Sequence, residues 1–248
     1  MAERARVVVT TSWDDGDPLD AKLADVLSEY GIKGTFYYAP RNRERKVMGA
    51  SDVRRIAERF EVGGHTLTHP DLRTLSDAKL KEEVSGGKRE LEAILGGPVR
   101  MFCYPKGRYN ARVRRAVMDA GFDAARTTRS FLFDVKDPWR MPTTLWAKDL
   151  NWLWWIPHCG RSLSGRGFRT LAGKGFLKPW WVIARALFDD ALEHGGIWHL
   201  WGHSWELEER GLWKEFRQLL AAVSRRSDVV YMTNGEVVRM SGIAEKIK

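Results

Sequence analysis

No apolar run of roughly 18 residues or more occurs in this sequence, so no membrane-spanning helix is expected. Cysteine is scarce: Cys103 and Cys159 are the only two, too few for a disulfide framework and in keeping with a reducing compartment. The opening Met1-Ala2-Glu3-Arg4-Ala5-Arg6 lacks the apolar core and small-residue cleavage site of a secretory signal, and it leads straight into Val7-Val8-Val9. A cytoplasmic location is the resulting expectation. Internal repeats, low-complexity tracts and interdomain linkers are also missing, so residues 1–248 read as one domain. The formal net charge is +9, yet no nucleic-acid motif and no long Lys/Arg block accompanies it, which leaves nucleic acid out of the expected partners. That charge suits either simple colloidal solubility or attraction to an anionic substrate or membrane surface.

What is present is a regular alternation of strand and helix signals. Val7–Thr11 is a β-branched run that ends in the polar turn Ser12-Trp13-Asp14-Asp15-Gly16. Leu19, Leu23, Val26, Leu27 and Tyr30 recur at helical spacing until Gly31 stops them. Residues 34–38, 62–64, 99–103, 122–125, 197–201 and 229–231 read as further strands. Helices are expected over 51–60, 76–95, 110–120, 182–194 and 212–223, with a terminal one from Asn234. Residues 127–179 read as irregular. Such alternation implies a parallel sheet covered by helices, whose active site gathers at the carboxyl ends of the strands.

The residues that carry chemistry cluster at those ends. Asp14 and Asp15 follow the first strand; alone, they would read as turn caps. His65-Thr66-Leu67-Thr68-His69 places two imidazoles four residues apart between Gly63-Gly64 and Pro70, a turn that can bring both to one metal ion. Joined by a carboxylate from another strand end, they make a His-His-Asp set that leaves coordination positions open for water and substrate. Later, His199, Trp201 and His203 share one face of an extended strand, with Glu206 beyond.

In this order, Ser12-Trp13-Asp14-Asp15-Gly16, Gly64-His65-Thr66-Leu67-Thr68-His69-Pro70, Tyr104-Pro105-Lys106-Gly107 and a late histidine strand resemble the polysaccharide deacetylases of carbohydrate esterase family 4. Gly31-Ile32-Lys33-Gly34-Thr35-Phe36 is similar to the family's second strand. The resemblance runs from about Val7 to Gly107 and resumes from about Ile197 to Val238. It implies a distorted (β/α) barrel with fewer than eight complete units, here with a long Trp/Arg-rich insertion at about 127–180. By motif match it implies Asp14 as the catalytic base and Asp15, His65 and His69 as ligands of one divalent metal ion. A late histidine is the implied general acid, with His203 favoured over the deeper His199. Zinc is the first expectation from the nitrogen and oxygen ligands, and other transition metals suit the set too. Tyr104, Lys106, Arg140, Trp201 and Glu206 are the expected substrate contacts, with a backbone N–H near Tyr104 facing the oxyanion.

One position departs from the pattern. Many members carry an arginine two residues before the proline of the third motif, where it orients the base; here that residue is Cys103. Arg100 lies at an odd offset and so on the opposite face of its strand. Arg140 or Lys106 is a candidate to take its place.

The expected function is removal of an N-acetyl group from a sugar. The substrate expected is an intracellular, nucleotide- or lipid-linked precursor of a surface polysaccharide or O-antigen-type glycan. Hydrolysis of a non-sugar amide or imide on the same fold is one alternative. A carbohydrate-binding pseudoenzyme is another, disfavoured by the intact Asp-Asp and His-x-x-x-His set and kept open by Cys103. Between Leu150 and Phe188 the chain has Arg161, Arg166, Arg169, Lys174, Lys178 and Arg185 with no Asp or Glu, and Trp152, Trp154, Trp155, Trp180 and Trp181 lie there too. This stretch reads either as a basic surface loop or as a lid in which Trp stacks on sugar and cations meet phosphate. The same residues suit peripheral contact with a membrane.

Overall fold

In the computed structural model, residues 7–149, 165–174 and 178–242 are described. Eight strands form one parallel sheet: β1 (Val7–Trp13), β2 (Gly34–Tyr38), β3 (Glu61–Gly64), β4 (Met101–Cys103), β5 (Ala124–Arg126), β6 (Leu145–Trp146), β7 (Gly196–Gly202) and β8 (Val229–Tyr231). Their order is β5-β4-β3-β2-β1-β7-β6, with β8 pairing against β1. Residues Val7–Val9 of β1 pair with β8, whereas Thr11–Trp13 pair with β2, so the two neighbours share one side of β1 in succession. Beyond β5, a single bridge from Arg126 to Met141 and the short β6 lead back to β7. The result is a curled, incomplete (β/α) barrel, as the sequence leads one to expect. No helix among the described residues is long and apolar enough to cross a membrane.

Alternation along the strands sorts the buried residues into two sets. Val7, Val9 and Trp13 join the large cluster under the helices, where Trp13 meets Phe216 edge-on at 5.3 Å. Val8, Tyr37, Met101, Cys103, Ala124 and Met141 form a smaller cluster inside the barrel. The inward series on β1 is Val8, Thr10, Ser12 and then Asp14. On β7 it continues through His199 and Trp201 to His203. Polar groups close the lower interior: the Thr10 hydroxyl donates to Asn234, which in turn donates to Tyr37.

Several elements differ from the sequence expectation. The helix read as continuous over 76–95 starts at its Ser76 cap but is interrupted by a π turn at Glu82–Gly86 before Gly87–Leu95. The interruption lets Glu83 turn towards the His65–His69 turn, where it accepts from the N–H groups of Leu67 and Thr68 and from the Thr68 hydroxyl. The stretch read as irregular contains β6 and a helix at Gly165–Lys174. A short helix, Ser204–Glu209, begins immediately after His203.

Gly87 shows how tightly the π-interrupted segment seats the histidine turn. A Cβ there would stand within 2.7 Å of the Thr66 carbonyl and the Leu67 nitrogen, both backbone atoms that cannot swing aside. Gly87→Ala is therefore expected to cost about 1–3 kcal/mol in urea unfolding. It should also weaken divalent-metal binding, because the backbone that must yield carries His65 and His69. An unchanged midpoint and unchanged metal affinity would show that this contact constrains nothing.

Candidate active site

The acidic turn sits at the mouth of the barrel, tied to β7 by the Asp14 N–H donating to the Gly202 carbonyl at 3.0 Å. Asp15 and Gly16 both adopt positive φ, which turns the two neighbouring carboxylates apart. On the next strands, the His65 N–H donates to Tyr38 as β3 ends, and His69 is fixed by its N–H donating to the Thr66 hydroxyl.

Each of these imidazoles is oriented through Nδ1. His65 Nδ1 lies 2.8 Å from the Cys103 carbonyl, and His69 Nδ1 lies 2.9 Å from Glu44 Oε2. Those partners are acceptors, so Nδ1 carries the proton and the Nε2 lone pair faces inward. The two Nε2 atoms stand 3.8 and 3.4 Å from Asp15 Oδ1. Asp15 Oδ2 accepts from the Trp205 indole at 3.1 Å, while buried Oδ1 has no hydrogen-bond partner. The three donor groups lie within 4.8 Å of one another. Burial, reinforced by neighbouring His69, holds the His65 pKa well below its ordinary value, so the ring is neutral as a ligand must be. Two inward-facing imidazole nitrogens and an unpartnered carboxylate oxygen fit a divalent transition metal.

The neighbouring carboxylate is held differently. Arg126, at the end of β5 and without solvent exposure, forms an ion pair with Asp14 Oδ1, and the Cys103 thiol lies 3.6 Å from Oδ2. Burial disfavours the guanidinium charge, but the Asp14 carboxylate together with neighbouring Cys103 and Tyr37 outweighs it and keeps the Arg126 pKa above its usual range. The rings of Tyr37 and Trp201 flank the guanidinium at 5.3 and 4.9 Å. This corrects the expectation that Arg140 or Lys106 replaces the arginine absent at Cys103. Arg140 is exposed and donates to the Tyr109 hydroxyl, and Lys106 pairs with Glu44. Cys103 and Arg126 are register partners on adjacent strands with the same inward parity, so the cation reaches the same carboxylate from one strand over. Arg100 lies outside the barrel, paired with Asp123.

The two late histidines separate clearly. His199 is buried, with Nδ1 2.9 Å from the Pro142 carbonyl and Nε2 2.8 Å from the Ser12 hydroxyl. Burial and nearby Arg126 push its pKa down to about 3. Both ring nitrogens are committed and the ring does not reach the cavity. His203 does line the cavity, with Nδ1 2.7 Å from Glu206 and Nε2 3.8 Å from Asp15 Oδ2. Burial opposes its charge, but the Glu206 hydrogen bond and the carboxylates of Asp15 and Asp14 raise its pKa above the ordinary value.

Of the expected substrate contacts, Trp201 and Lys106 line the cavity, which has a volume of about 340 Å3. Trp146 also lines it, stacked on Trp201 at 4.6 Å, as does Trp205. Glu206 does not. It is 1% exposed and its carboxylate takes His203, the Trp146 indole and Lys148, which makes it the holder of His203. Tyr104 faces outward, opposite to Cys103, and donates its hydroxyl to the Trp139 carbonyl; its N–H donates to the Arg126 carbonyl and is not available to an oxyanion. Glu44, which no motif signals, emerges as the partner of His69.

The basic insertion contributes less than its composition suggests. Arg161, Trp152, Trp154 and Trp155 lie outside the described residues. Arg166 is taken up by Asp190 and by the carbonyls of Asp190 and Gly195, and Trp180 is 1% exposed in the core. Acidic partners missing from the stretch itself follow it at Asp189 and Asp190.

Residues 2–125 match the family model for polysaccharide deacetylases. A peptidoglycan-N-acetylglucosamine deacetylase of Bacillus cereus is 28% identical over 117 residues, which is 46% of this chain and 54% of that enzyme. The chain spans about half or less of the length of the curated relatives it matches. Among solved structures, a Mycobacterium smegmatis protein assigned to the polysaccharide deacetylases aligns with a TM-score of 0.66 at 19% identity, covering 100% of this chain and 92% of that one. A carbohydrate esterase family 4 pseudoenzyme from Bacillus anthracis aligns at 0.50 and 16% identity over 90% of this chain and 64% of that one. These structural likenesses are likenesses of fold.

Two outcomes are expected of the buried charges. Arg126→Met leaves Asp14 buried without its counter-charge and should cost about 3–5 kcal/mol in denaturant unfolding, unless the carboxyl takes up a proton. A loss below about 1 kcal/mol at neutral pH would mean the pair contributes no more than an exposed one. His199 is neutral in the fold down to about pH 3, whereas in the unfolded chain it titrates near its ordinary value of about 6.5. Its contribution to stability is complete above about pH 6.5 and is lost as pH falls towards 3, because the unfolded chain binds the proton first. His199→Gln should flatten that part of the stability–pH curve; an unaltered slope would show that His199 is charged in the fold.

Proposed function

This chain belongs to the polysaccharide deacetylase family, and on that premise we propose that it is a metal-dependent hydrolase removing the acetyl group from an N-acetylated sugar. The observation that carries the reading is the buried, unpartnered Asp15 Oδ1 facing the Nε2 atoms of His65 and His69. Those three residues hold the metal, zinc in the first instance, with other transition metals compatible with the same ligands. When bound, the metal polarises the acetyl carbonyl and lowers the pKa of a water molecule towards about 7.

The remaining work belongs to the chain's own side chains. Asp14, held in place by its ion pair with Arg126, takes a proton from the attacking water. His203 gives a proton to the nitrogen as the C–N bond breaks, so that acetate and a free amine leave. Glu206 holds Nδ1 of His203 and favours the charged ring, which is the form that can donate. Trp146, Trp201 and Trp205 give the cavity an aromatic wall, apolar surface against which the C–H groups of a pyranose ring can pack, which favours a sugar over a non-sugar amide or imide.

Acetate release from a panel of N-acetyl sugars and simple amides, with metal content measured in parallel, tests this reading. The protein should release acetate from a sugar. Asp14→Asn should lower turnover by about 10²-fold or more while metal remains bound, since an amide preserves shape but accepts no proton. His65→Ala should empty the metal site. Near-normal acetate release by Asp14→Asn would place the base elsewhere. Sugar binding without release from any substrate would favour a pseudoenzyme, and unchanged metal occupancy in His65→Ala would overturn the ligand set.

A further inference from the structure

We propose that the sugar taken by this cavity carries a phosphate, as monoester or diester, and that the loop Arg41–Lys46 together with Lys106 binds it; the proposal rests on the deacetylase reading above. The loop reads Arg41-Asn42-Arg43-Glu44-Arg45-Lys46, four cations to one acid. It is fastened to the site itself. The Arg41 N–H donates to the Leu67 carbonyl at 2.8 Å, the Met48 N–H donates to Gly16 at 2.9 Å, and the Asn42 amide approaches the Asp15 carbonyl at 3.5 Å. The backbone of the loop is thereby fixed beside the proposed metal ligands, with Glu44 on the cavity wall.

Those charges are not all spent on neighbours. Arg41 pairs with Glu90, and Arg45 pairs with Glu209 while lying 3.3 Å over the Trp205 ring that lines the cavity. Arg43 and Lys46 are exposed and have no ion pair among the described residues. Facing the loop, Lys106 is held at φ 57, a left-handed conformation that a lysine adopts only under constraint. Its Nζ lies 2.5 Å from Glu44 Oε1, and the other oxygen of Glu44 holds His69. Glu44 thus places a carboxylate in contact with Lys106 at the cavity wall, where a phosphate offers the same acceptor geometry with more charge. The acids of the cavity floor do not cancel this field. Asp14 is offset by Arg126, Glu206 by His203 and Lys148, and Asp15 by the metal it is built to hold. Arg43 and Lys46, on the loop that brings Glu44 to the cavity wall, are left to act on a charged substrate.

The metal-loaded Asp14→Asn protein, which should bind without turnover, permits a direct test by calorimetry with N-acetylglucosamine, N-acetylglucosamine 1-phosphate and UDP-N-acetylglucosamine. The phosphorylated sugars are expected to bind about tenfold more tightly or better than the neutral one. The ratio should shrink towards one at about 1 M salt, where exposed charges are screened. Arg43→Ala with Lys46→Ala, and separately Lys106→Met, should each lower that ratio several-fold. A polyprenyl-diphosphate-linked N-acetyl sugar in detergent micelles provides the second arm: tighter binding there than to the UDP sugar assigns a lipid carrier, the reverse a nucleotide. Equal affinity for neutral and phosphorylated sugars at low salt overturns the inference, as does a ratio that none of the variants changes. Acetate release by the unsubstituted protein is the separate readout: release without charge preference removes only this inference, and no release from any amide removes the reading beneath it.

Discussion

Two adjacent, buried carboxylates have to be accommodated at the mouth of the barrel, and the rest of the site follows from how each is held. An isolated buried carboxylate either protonates or destabilises the fold. Asp14 points into the barrel and meets Arg126, so its charge is balanced by the protein. Asp15, turned away by a positive φ, receives one indole N–H and keeps its other oxygen without a partner between two imidazoles. One position is complete and the other is left for a cation. On the proposed reading, that difference separates a proton acceptor from a metal ligand within one dipeptide.

Holding this arrangement requires conformations that ordinary residues avoid. Asp15, Thr66, His69 and Lys106 all have positive φ, and all four belong to the site or its turns. Each such residue costs on the order of 1–3 kcal/mol and persists only where its surroundings over-determine it. Here the surroundings are specific: Glu83 takes three donors from the histidine turn, and the backbone at Gly87 abuts Thr66. The π interruption that brings Glu83 to that turn is therefore part of the scaffold of the histidine turn, although none of its residues lines the cavity.

The sequence read well where a residue's role follows from position along one strand. Alternation alone put His199, Trp201 and His203 on one face and turned Arg100 outward, and the motif match marked Cys103 as the place where an arginine was missing. It read poorly where the role depends on which strands are neighbours. Arg126 ends a short Ala-Ala-Arg strand and looks like a surface cation; only the register of β5 against β4 shows that it shares an interior with Cys103 and Asp14. Burial was equally hidden. Glu206 resembled a substrate contact until the donors around it were placed, and Glu44 carries no motif at all. The basic insertion misled for a simpler reason, since the carboxylates that take Arg166 and Arg185 lie just beyond it.

The account stands on a cation between β1 and the histidine turn. Anomalous diffraction from crystals of the zinc-loaded protein, recorded on both sides of the zinc edge, locates it directly. The expected result is one peak at about 2.0–2.2 Å from Asp15 Oδ1, His65 Nε2 and His69 Nε2, with Asp14 still paired to Arg126. A peak ligated by Asp14 and Cys103 instead, or no peak at the Asp15–His65–His69 position, would contradict it.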